Sequence, residues 1–91
     1  MLIYATKGLR GSKTHLIRWA KGEHKCDSRF NQTEFTNADT FCGRVIKDKD
    51  FTIFLSNDQY PYYGNAPFGF CAICEIEWRK LKYPESIIAK N

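Results

Sequence analysis

The apolar residues of this chain fall in short clusters separated by polar stretches, and the clusters predict strands followed by a single helix. Leu2-Ile3-Tyr4-Ala5 reads as a short strand, ended by Gly8 and Gly11 with basic residues between them. His15-Leu16-Ile17-Arg18-Trp19-Ala20 reads as a second strand, closed by Lys21-Gly22. The segment from Glu23 to Thr40 is polar, with isolated Phe30 and Phe35, and is expected to be a long loop or to contain a poorly formed strand. Phe41 to Lys47 and Phe51 to Leu55 flank the polar turn Asp48-Lys49-Asp50 and together predict a β-hairpin. From Cys74 the spacing becomes helical, because Cys74, Trp78 and Leu81 fall at i, i+4 and i+7 on one face. Glu75 and Glu77 in the first turn and Arg79, Lys80 and Lys82 in the last match the helix dipole, and Pro84 stops the helix near Tyr83. The tail from Glu85 to Asn91 is expected to be short and partly disordered. Between the hairpin and the helix, Ser56 to Gly69 forms a long loop carrying Tyr60, Tyr62, Tyr63 and Phe68. Loops of this length are often functional, although the same aromatic side chains would equally serve to cap a core.

Size turns this pattern into a single domain spanning residues 1–91, since 91 residues leave no room for a second core. A domain this small gains from a staple, either a metal or disulfides. The start of the chain has no apolar run of signal length, and no stretch reaches transmembrane length. A cytoplasmic location with reduced thiols is therefore expected, where four cysteines favour metal over disulfides.

The net charge of +4 is unevenly spread. The first thirty residues carry Lys7, Arg10, Lys13, Arg18, Lys21, Lys25 and Arg29 against Glu23 and Asp27, a balance of +5. A basic third of this kind attracts nucleic acid or an acidic protein surface, or else simply keeps the protein soluble.

The cysteines supply the most specific signal. Cys71-Ala72-Ile73-Cys74 stands directly before the helical segment, and a C-x-x-C pair turns both sulfurs toward one ion across a tight loop. The second cysteine then meets the positive end of the helix dipole. Cys42-Gly43 offers a third sulfur followed by a residue that permits a sharp turn. The fourth donor comes from His15, His24 or Cys26, and the residues alone leave that choice open. Four N and S ligands around one tetrahedral ion describe a structural zinc site. The fold class expected is thus α+β, a small antiparallel sheet or set of hairpins with one C-terminal helix, zinc-stapled in a treble-clef or ribbon-like layout.

The order Thr14-His15-Leu16-Ile17, an insert, Cys42-Gly43, another insert and Cys71-x-x-Cys74 resembles a group of very small zinc-finger-like proteins of phages and actinobacteria. The resemblance spans roughly Lys13 to Leu81 and implies that His15, Cys42, Cys71 and Cys74 are the ligands. It also implies a phage-type factor, working in the host cytoplasm if viral, but no single activity. Cys26 and the long insert before Cys42 depart from the pattern.

Catalytic motifs are not supported. A nucleobase deaminase carries H-x-E, whereas His15 is followed by Leu16-Ile17. A thioredoxin-type C-x-x-C follows a strand in a βαβ pattern, and Phe68-Gly69-Phe70 gives little strand before Cys71. Glu75 and Glu77 are the carboxylates nearest the C-x-x-C, which leaves a minimal zinc enzyme as a third reading. The chain reads as a non-enzyme, a zinc-stabilised module that binds a host protein or nucleoprotein complex, with DNA or RNA as the alternative partner. Arg10, Lys13 and Lys21 supply candidate charge contacts and Tyr60, Tyr62 and Tyr63 candidate anchors.

Overall fold

The computed structural model describes residues 2–7, 13–26, 31–47, 50–56 and 69–90. The turn at Asp48 and Lys49, Arg10, and the aromatic loop with Tyr60, Tyr62, Tyr63 and Phe68 lie outside the described residues, as do the side chains of His24 and Cys26. The elements run β1 (Leu2–Lys7), β2 (Thr14–Cys26), β3 (Asn31–Thr40), β4 (Val45–Ile46), β5 (Asp50–Ser56), α1 (Ala72–Lys80) and β6 (Ile87–Ala89). The chain is α+β, with a small, mainly antiparallel sheet and one C-terminal helix.

β1 pairs antiparallel with β2, β2 with β3, β3 with β5, and β5 returns to β1. The ladder therefore closes on itself as a small barrel, and closure leaves four strands without a free edge along the paired stretches. β4 and β6 attach to the outside of this ring, β4 on β3 and β6 parallel to β2.

Three expectations are corrected here. The polar stretch before Thr40 is the well-formed strand β3, whose core positions are Thr33, Phe35, Ala38 and Thr40. Small and hydroxylated side chains fill most of the buried positions, and the buried parity switches between Phe35 and Ala38, where the pairing with β2 shifts register, so apolar alternation is weak. β2 does not close at Gly22 but runs on to Cys26, with a register shift between Lys21 and Gly22. There the β3 backbone comes so close that a Cβ on Gly22 would stand 2.1 Å from the Glu34 carbonyl oxygen. Lastly, β4 and β5 do not form a hairpin with each other. Both pair with β3, Val45-Ile46 against Asp39 and Ala38, and Asp50 to Ile53 against Phe35 to Gln32. The hairpin is β3–β4, turning through Phe41 to Arg44, so most of the apolar run from Phe41 is turn and not strand.

Packing builds two clusters on the β1–β2 pair. Ile3, Ala5, Leu16 and Phe41 pack with Cys74 and Trp78 of α1. Ile17, Ala20, Phe35, Ala38 and Ile46 form the second cluster, joined by Tyr4 and Ile88. The helix begins at its N-cap Cys71 and ends at Lys80 with Leu81 as C-cap, short of Tyr83. Lys82 and Tyr83 then take left-handed backbone, φ 57° and 63°, which folds the chain back. Tyr83 consequently meets Trp78 edge-on, ring centroids 4.8 Å apart, and the Trp78 indole N–H donates to the Pro84 carbonyl at 3.1 Å. Leu81, expected on the core face, is 56% exposed and stands at the C-cap, one residue past the last helical position.

Within residues 85–90 the tail expected to be partly disordered carries a strand. β6 extends the sheet, and Ser86 is buried between β1 and β2: its hydroxyl donates to the Ile17 carbonyl and accepts the Tyr4 N–H at 2.9 Å.

Candidate metal centre

Three consecutive residues at the start of β2 bring together segments that are far apart in sequence. Thr14 accepts the Cys71 N–H at 2.8 Å and donates its own N–H to Gly69 at 2.8 Å, so the segment before α1 runs alongside it. The Leu16 carbonyl accepts the Phe41 N–H at 3.0 Å, which ties the β3–β4 turn to the same strand. His15 lies between these two anchors. Within the turn, Gly43 donates to the Thr40 carbonyl at 3.0 Å and adopts φ 90°, the left-handed backbone expected of the residue after Cys42. The Thr40 hydroxyl donates to the Arg44 carbonyl at 2.8 Å and stands 3.2 Å from Cys42 Sγ, bracing the thiol. The first helical hydrogen bond, Glu75 N–H to the Cys71 carbonyl at 3.1 Å, sets Cys74 in the first turn of α1.

The result is one group. A single ligand atom from each of His15, Cys42, Cys71 and Cys74 lies within 4.8 Å of the others. His15 Nδ1 is 3.5 Å from Cys42 Sγ and 3.5 Å from Cys74 Sγ. One ring nitrogen with one lone pair or one proton cannot serve two thiols equally as a hydrogen-bond partner. A tetrahedral ion can, since bonds of about 2.3 Å to sulfur and about 2.0–2.1 Å to nitrogen give an N···S edge of about 3.6 Å. The donor set therefore fits a metal ion, with His15 and Cys74 buried and Cys42 and Cys71 half-buried.

The electrostatics point the same way. Burial raises the Cys74 thiol to about 12, helped by the neighbouring Cys42. Burial acts in the same sense on Cys42, but hydrogen bonds with the Thr40 hydroxyl, the Arg44 backbone and the other two thiols outweigh it and hold Cys42 below the ordinary thiol range. Burial, and then the Arg44 charge, push His15 below the usual histidine value, so the ring is neutral and available as a ligand at neutral pH.

Of the other residues marked by the sequence, Lys13 and Lys21 are exposed, as expected of a solvated surface. Glu75 and Glu77 stand outside the His/Cys group; they pair with Arg79 and Lys80 at 3.0 Å each. The supporting roles of Thr14, Leu16, Thr40 and Arg44 were not read from sequence. Backbone carbonyls carry no sequence signal, and only Thr40, two residues before Cys42, offered a side chain to notice.

Comparison of the chain with protein-family models, with curated proteins and with solved structures finds no match. Fold and site together define the class, a small α+β protein with a candidate metal centre joining sheet and helix. Among the described residues, no helix is long and apolar enough to cross a membrane.

Proposed function

We propose that the chain is a small zinc-stabilised binding module, a phage-type factor that binds and modulates a host protein or nucleoprotein machine. The observation that carries the metal part is the equidistance of His15 Nδ1 from two thiols within a closed group of four donors. Three sulfurs and one imidazole suit zinc, and four protein ligands leave no open position for substrate. When bound, zinc supplies a cross-link between β2, the β3–β4 turn and α1. Those elements hold the ligands in place, and the partner is met elsewhere on the surface. The exposed cations Lys13 and Lys21 support that assignment.

Purified protein should carry about one zinc per chain, and chelation should loosen or unfold it, because the free energy of binding becomes free energy of folding. Elemental analysis combined with thermal melting before and after chelator checks both points. A metal-free preparation with an unchanged melt would remove the reading.

Nucleic acid is the second reading, favoured by Trp19. This side chain is 38% exposed on β2, with exposed Arg18 and Lys21 on the same strand. An open indole flanked by cations suits base stacking combined with phosphate contact. Binding to random-sequence DNA or RNA that falls steeply with salt would select it.

A further inference from the structure

Among the described residues, the side-chain atoms His15 Nε2 and Thr52 Oγ1 are buried without a hydrogen-bond partner, and the strand register relates them. His15 on β2 faces Thr6 on β1. β1 meets β5 with Ala5 opposite Ile53, so one residue further along that register Thr6 falls beside Thr52. Thr52 in turn faces Thr33 on β3. Directly opposed residues of paired strands share a face, so His15, Thr6, Thr52 and Thr33 form one row across four strands of the closed sheet. The row is buried throughout, with His15 5% exposed and Thr52 at 0%. Thr52 is therefore a polar residue where packing alone would be met by valine, and it lies two strands from the ring of a candidate metal ligand.

The chemistry of His15 gives this row a purpose. Nδ1 faces the sulfurs, and with Nδ1 bound to an ion the neutral ring carries its proton on Nε2. A ligating histidine is commonly fixed in tautomer and orientation by a partner on its other nitrogen. A buried N–H and a buried hydroxyl are each costly when unpaired, and a buried water needs two or more polar partners, which the two atoms supply.

We propose that Thr52 is a positioning residue for His15: its hydroxyl and the Nε2–H share one buried water, which holds the ring with Nδ1 turned to the metal. This rests on the reading of the His/Cys group as a metal site.

The test uses the zinc-loaded, isotope-labelled full chain as wild type, Thr52→Ser and Thr52→Val. Wild type and Thr52→Ser should show a His15 Nε2–H protected from solvent exchange. Thr52→Val keeps the shape but removes the hydroxyl; it should lose that protection and bind zinc about 10–100-fold more weakly in competition with a chelator. A purely structural role for Thr52 would not move the Nε2–H signal. The inference is overturned if Thr52→Val matches wild type in both readouts, or if wild type carries its ring proton on Nδ1. Should Thr52→Val fail to fold, the wild-type and Thr52→Ser spectra decide: a protected Nε2–H in both supports the proposal, and an unprotected one overturns it. Normal zinc uptake with an unchanged Thr52→Val sinks the inference alone, whereas a wild-type chain that takes up no zinc sinks the metal site and the inference together.

Discussion

His15→Ala, Cys42→Ser, Cys71→Ser and Cys74→Ser should each strip the chain of stoichiometric zinc, because each removes one of four donors that lie within 4.8 Å of one another. Cys26→Ser should leave the metal content unchanged, since the His/Cys group is complete without it. Elemental analysis of the five variants checks this, and a Cys26→Ser that loses zinc while His15→Ala keeps it would replace the histidine by a fourth sulfur. Acid should act on the same group. The Cys74 thiol, raised to about 12 by burial, holds its proton at neutral pH, so zinc must displace it and affinity should climb with pH. His15 adds a term of the same sign. Its pKa is lowered by burial, so the unfolded chain takes up the proton more readily. Stability from this group is full above the ordinary histidine value of about 6.5 and is lost as pH falls below it. Chelator competition across about pH 6 to 8 should show affinity rising by at least about tenfold per pH unit, and a flat profile would mean that the thiols are not ligands. At this scale the sequence was informative. Cysteine and glycine at Cys42-Gly43 and the C-x-x-C spacing carry their chemistry in residue identity, whereas the choice of His15 over His24 depended on the resemblance, and the carbonyls that hold it depended on the fold.

The elements show which physical signals reach the sequence and which do not. β1 and the first half of β2 were legible because their cores are Ile3, Leu16 and Ile17, branched apolar residues in short runs. β3 was not, because Thr33, Ala38 and Thr40 fill its buried positions, and the hairpin was misplaced because Phe41 reads as strand when it closes a turn beside Leu16. The long-range pairing of β6 with β2, fixed in part through Ser86, involves too few residues to leave a pattern. The helix was legible in its inner face but not in its end, and that difference can be tested. Trp78 is fully buried against Ile3, Leu16 and Cys74, with Tyr83 at its edge, so Trp78→Ala should cost about 3–5 kcal/mol. Leu81→Ala, at an exposed C-cap, should change stability by no more than about 0.5 kcal/mol. Denaturant melts of the zinc-loaded variants compare the two, and equal losses would put Leu81 back in the core.

Across the whole molecule the candidate metal centre lies where β2, the β3–β4 turn and the start of α1 converge, and its donor atoms lie within 4.8 Å of one another. On the proposed reading as a binding module, recognition falls to side chains that the fold does not need. Lys13 and Lys21 are exposed, and Arg10 shares their basic stretch of sequence, so reversing all three to Glu should leave the zinc content and the melt unchanged. The triple reversal should weaken partner binding through slower association, because charges at the rim of an interface act mainly by steering the encounter. Trp19→Ala should act differently. An exposed indole that anchors in a partner pocket or stacks on a base contributes after contact, so its loss should speed dissociation. Association and dissociation rates measured against one partner at two salt concentrations separate the two effects. If the charge reversals lower the on-rate only at low salt and a salt-resistant complex remains, the partner is a protein. If the complex itself dissolves with salt, by about one power of concentration for each phosphate contact, the partner is nucleic acid. Unaltered rates in both variants would place recognition outside the basic stretch and Trp19 altogether, leaving the metal reading intact and the assignment of this surface wrong.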